Sequence, residues 1–86
     1  MLSNKNGKLY ARDKEVIKGY ESYVGWYWFV TEIEEEDYDG HPLYYGYVQG
    51  LENEWGTFWY GEMKPLIEKG KIWEIKEEDL PHAGRR

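Results

Sequence analysis

The sequence predicts an α+β domain, a small twisted antiparallel sheet of four to five strands laid out as a meander, with one short helix. Three observations carry this. Residues 26–60 hold most of the aromatic residues, in three runs separated by turn-forming stretches, and aromatic and β-branched runs suit a pleated, partly buried surface. The connections between these runs are too short for a crossover, so consecutive strands are antiparallel neighbours. Only at residues 61–70 does the apolar spacing change to i, i+3, i+4, at Met63, Leu66 and Ile67, which is the period of a helix.

Taken in order, residues 1–7 are polar and offer little to bury, so they are expected as a loose end. Lys8-Leu9-Tyr10-Ala11 begins an ordered segment, either an edge strand or a turn of helix. Residues 15–24 show two competing alternations around Gly19, the pattern of a bulged or twisted strand. Trp26 to Ile33 is the clearest strand: Trp26, Trp28, Val30 and Glu32 are expected on one face, Tyr27, Phe29, Thr31 and Ile33 on the other. Both faces are apolar, which places it centrally. An acidic loop over 34–42 follows, with Asp39-Gly40 at its turn and Pro42 closing it. Leu43 to Gln49 and Trp55 to Tyr60 are two further strands. Pro65 limits the next element to a short helix or helical turn, and Gly70 stops it. A last strand is expected over 71–76, and 82–86 are expected as a flexible tail. All 86 residues form one domain, a size at which a single core is adequate but marginal.

The chain carries a net charge of −6 that is unevenly placed. Residues 1–18 carry five basic and two acidic groups, residues 19–63 no basic and ten acidic groups, and residues 64–86 six basic and five acidic groups. The acidic field of the middle repels nucleic acid and favours a basic partner surface or a cation. The sequence has no cysteine, which removes thiol chemistry and a disulfide-stapled secreted scaffold. No apolar run approaches the length of a membrane span and no signal-peptide pattern opens the chain. A cytoplasmic protein with no membrane partner and no cofactor is the expectation.

Trp26 to Glu32, the run Tyr45-Gly46-Tyr47-Val48-Gln49-Gly50-Leu51-Glu52-Asn53-Glu54-Trp55-Gly56-Thr57-Phe58, and the pair Glu62-Met63 together resemble a family of small single-domain proteins catalogued as a domain of unknown function. Leu9-Tyr10-Ala11 and Lys18-x-Tyr20 look like its opening. Trp59-Tyr60-Gly61 and Pro65 depart from its pattern. The resemblance implies a small α+β fold, in proteins often carried on mobile elements, and implies no activity, substrate or catalytic residue.

Three groups of residues are candidates for function. Carboxylates over 34–39 with Gly40 and His41 look like part of a cation-binding loop, but Gly46 stands where a calcium loop needs its closing glutamate. Glu32, with Glu52 or Glu54, is a carboxylate pair of the kind general acid–base or metal-dependent hydrolysis uses. No Ser/His/Asp set accompanies it, so the enzyme is the alternative reading. The third group is a set of rings, Tyr27, Phe29, Tyr44, Tyr47 and Trp59, which with Glu32, Glu52 and Glu54 make up the expected partner-binding surface. Stacking on nucleic acid needs Arg or Lys among the rings, and residues 19–63 contain none. The best reading is therefore a non-catalytic protein-interaction module that docks a basic protein surface or self-associates. A second alternative is an inhibitor that imitates the charge of nucleic acid.

Overall fold

The computed structural model describes residues 1–36 and 39–85. Its eight strands are β1 (Leu2–Lys5), β2 (Lys8–Ala11), β3 (Lys14–Glu15), β4 (Lys18–Ser22), β5 (Tyr27–Glu36), β6 (Pro42–Gln49), β7 (Asn53–Trp59) and β8 (Ile72–Glu74). The helix α1 (Tyr60–Glu68) joins β7 to β8, and a 3-10 turn covers Leu80–His82. Strands β4 to β7 form the expected antiparallel meander, and β8 adds beyond β4 to give the order β7-β6-β5-β4-β8. Because β7 and β8 are opposite edges, α1 has to cross one face of the sheet to connect them.

The N-terminal segment differs from expectation. Residues 2–15 form a separate three-stranded antiparallel sheet, β1-β2-β3. Asn6 and Gly7 both take positive φ, 54° and 78°, between the paired residues Lys5 and Lys8. Two such residues give a hairpin turn whose twist matches the strands. Leu2, Leu9, Ala11 and Val16 turn inward and are buried.

The main sheet therefore has cover on both sides. On one face Phe29, Tyr47 and Ile75 pack with Leu2, Leu9, Ala11, Val16 and Leu80. On the other, Tyr20, Val30, Tyr44 and Ile72 pack with Met63 of α1, flanked by Trp28, Phe58, Tyr60 and Ile67. Pro65 lies inside α1 rather than in its first turn, and Gly70 at φ 76° ends the segment. Residues 83–85, part of the expected tail, lie against the first face. Gln49 Nε2 donates to the Arg85 carbonyl at 2.7 Å, the Arg85 amide donates back to Gln49 Oε1 at 2.7 Å, and Arg85 Nη2 donates to the Gly50 carbonyl at 2.8 Å.

Strand β5 carries two bulges against β6, between Val30 and Glu32 and between Ile33 and Glu35. An extra residue in one strand reverses the alternation beyond it. Glu32 consequently pairs with Tyr45 and joins the face of Phe29, not that of Trp28 and Val30. Thr31, the extra residue, donates through Oγ1 to the Tyr45 carbonyl at 3.2 Å.

The layer under α1 contains a buried polar pair, Tyr20 Oη and Tyr44 Oη, 2.9 Å apart. Burial first, then the hydrogen bond with Tyr44, pushes the Tyr20 phenol well above its ordinary value of 10.0. Tyr44→Phe leaves the Tyr20 hydroxyl buried without its partner and is expected to cost about 1–3 kcal/mol, with the double variant Tyr20→Phe/Tyr44→Phe costing less than the sum of the singles. Denaturant titration of the four proteins checks this, and strict additivity would count against the pair. The same shift fixes a pH dependence. Above pH 10 the unfolded Tyr20 releases its proton and the folded one keeps it, so its stabilising contribution is whole below pH 10 and shrinks as pH rises. The stability gap between wild type and Tyr20→Phe is expected to narrow above pH 10 by up to about 1.4 kcal/mol per pH unit.

Candidate functional site

The ring set expected on an exposed face is mostly core. Phe29, Tyr44 and Tyr47 are 0 %, 2 % and 6 % exposed, so they offer nothing to a partner. The reason is that a central strand with rings on both faces is compatible with cover on either, and here the small sheet covers one face and α1 the other. Tyr27 is half-buried and stacks on Phe29 at 5.7 Å. Burial, followed by the charge and hydrogen bond of Glu21, raises its pKa, with Arg85 opposing. Trp59 is 36 % exposed, with His41 6.2 Å away.

Glu32 and Glu54 do not meet. Glu32 lines a cleft with Arg12, Lys14, Thr31, Tyr45 and Trp55 on the face of the small sheet. There the turn after β2 brings Arg12 over Trp55 at 5.6 Å, placing a cation beside rings from which it is remote in sequence. Glu54 pairs with Val48, which pairs with Trp28, so it belongs to the α1 face. The proposed acid–base pairing of Glu32 with Glu54 therefore has the sheet between its members. Of the acidic loop, residues 37 and 38 lie outside the described residues. Among the described residues no group of three or more His, Asp or Glu side chains is placed to hold a metal ion.

What the structure does assemble is a surface on the α1 face where β5 begins, β6 ends and β7 begins. The cross-strand row Tyr20, Trp28, Val48, Glu54 runs from β4, beside the β8 edge, to the β7 edge. Beyond Trp28 the ring of Trp26 lies 5.9 Å away and rests on Gly50, where even a methyl group would meet the indole carbons at 2.6–2.7 Å. The turn after β6 then carries Leu51, 94 % exposed, and Glu52. Trp26, Val48, Leu51, Glu52 and Glu54 line one shallow concavity of about 360 Å³.

Glu52 and Glu54 were legible as candidates from sequence. Trp26 and Trp28 carried a signal in their shared parity, but nothing local says what lies beside them in the fold.

No family model, curated protein or solved structure matches the chain.

Proposed function

We propose that this chain is a non-catalytic protein-interaction module that receives a positively charged partner on the surface of Trp26, Trp28, Val48, Leu51, Glu52 and Glu54. The observation that carries this reading is the shared concavity of an indole, two carboxylates and an exposed leucine, in a stretch of 45 residues, 19–63, that has no Lys or Arg. A cation over an indole face contributes about 0.5–1 kcal/mol when exposed and about 2 when desolvated, whereas an exposed ion pair contributes about 0–1 kcal/mol. Ring and carboxylate together hold a lysine or arginine side chain better than either alone. The cysteine-free composition fits a reducing, cytoplasmic setting. Placement of Glu32 and Glu54 on opposite faces favours this docking surface over a continuous row of charges imitating nucleic acid.

The test is a titration followed by amide NMR shifts, using a lysine-rich peptide and its glutamine-substituted counterpart. The lysine peptide is expected to shift residues 26–28 and 48–54, and to bind at least tenfold more weakly to Trp26→Ala and to the double variant Glu52→Gln/Glu54→Gln. Its affinity also falls as salt rises, because screening shortens the reach of exposed charges. Equal binding of the glutamine peptide, or an unaffected Trp26→Ala, sinks the proposal.

A further inference from the structure

We propose that the partner enters as an extended basic segment that adds as a sixth strand along β7, seating a lysine or arginine side chain in a notch over Gly56. This rests on the reading just given and specifies the partner's conformation and register.

Unpaired sheet edges invite another chain, and proteins blunt them by shortness, charge, proline or a bulge. Strand β8 has three residues, β3 has two including Lys14, and β1 has four ending in Lys5. Strand β7 is different. It has seven residues, Asn53-Glu54-Trp55-Gly56-Thr57-Phe58-Trp59, without Lys or Pro, and its register with β6 is unbroken from Leu43↔Trp59 to Gln49↔Asn53. Its outer edge therefore presents alternate N–H and C=O groups over its full length, the template for strand addition.

The side-chain pattern on that edge states what the incoming strand carries. Gly56 pairs with Gly46, and a methyl group on Gly56 would meet no atom within 4 Å. Two residues to either side on the same face stand Glu54 and the half-buried Phe58. The result is a notch open at the edge, with a carboxylate on one wall and a ring on the other. A long side chain from the residue opposite Gly56 lays its aliphatic stem against Phe58 and its charged end toward Glu54, an arrangement that suits Lys and Arg. On this face a second copy of the chain is disfavoured by charge, since each brings Glu54 and the neighbouring Glu52, while Arg12 lies over Trp55 on the opposite face.

The experiment uses a peptide alternating valine and lysine, and two versions of it N-methylated on one or the other alternate set of amides. Strand addition predicts that one N-methylated version binds at least tenfold more weakly than the parent, and that the other, whose altered amides face solvent, binds like the parent. Gly56→Val is expected to melt no lower than wild type and to bind the parent at least fivefold more weakly. If both N-methylated peptides bind like the parent, strand addition is overturned and charge docking stands. If the parent itself fails to bind, the docking surface falls as well. A peptide-free dimer of the chain in sedimentation that Gly56→Val abolishes would replace the basic segment with a second copy, overturning the occupant proposed here.

Discussion

Gly46→Ala is expected to unfold the chain or to leave it with a small part of its stability. Gly46 sits in β6 opposite Val30, immediately before the bulge at Thr31. A methyl group there would collide with the carbonyl oxygen of Phe29 and would also lie 2.9 Å from the carbonyl carbon of Phe29 and 3.1 Å from the Cα of Val30. All three atoms are backbone of the central strand, so no side-chain rotation relieves the contact. The neighbouring strands must separate or shift instead, and overpacking of this kind costs about 3 kcal/mol or more. Domains of this class hold only about 5–15 kcal/mol in total. In urea the midpoint is expected to fall by about 1 M or more. Gly56→Ala is the control: same residue type, adjacent strand, same face, and open space around the added methyl group. It is expected to match wild type, and a Gly46→Ala protein as stable as that control would show the close approach of β5 and β6 to be wrong.

Phe29→Ala is the second large effect. Phe29 is wholly buried, stacked on Tyr27, and packed in the layer that joins the main sheet to the small one. Removing the ring leaves a cavity between two sheets that are each held in register by their own ladders, so collapse is limited and the cost is about 3–5 kcal/mol. For a domain of this length that lowers the melting temperature by about 15 °C or more. A local consequence distinguishes this from general weakening. Gly84, at φ 87°, is the point where the C-terminal segment turns past Phe29, Leu2 and Gln49. Loss of the ring is expected to speed hydrogen exchange at the Arg85 amide, bonded to Gln49, before it speeds exchange in β4. Uniform acceleration would show that the segment is held by its hydrogen bonds alone.

The elements that were legible in the sequence are those with enough residues to show a period. The runs around Trp28, Tyr45 and Phe58 and the spacing of Met63, Leu66 and Ile67 appear as strands and helix with modest shifts of their ends. The small sheet was missed because β1 offers one apolar anchor, Leu2, within a polar stretch. Its signal was the Asn6-Gly7 dipeptide between two lysines, a hairpin turn whose φ values only such residues adopt readily. Which face of each strand met solvent was not legible, since Phe29 and Val30 are equally apolar and both are covered. The fate of Glu32 turned on the bulge at Thr31, where a polar β-branched residue looks like any other strand position. Because both faces of the sheet are covered, the candidate surface moved from Phe29, Tyr44 and Tyr47 to Trp26, while Glu52 and Glu54 stayed within it.

The reciprocal bonding of Gln49 with Arg85 brings the ends of the described chain to one corner. Met1, Gln49, Asn53 and Arg85 line the same cleft. A short peptide ligated across that corner would circularise the described chain without entering either hydrophobic layer, whereas a bulky fusion at either end would project beside Asn53, the first residue of β7.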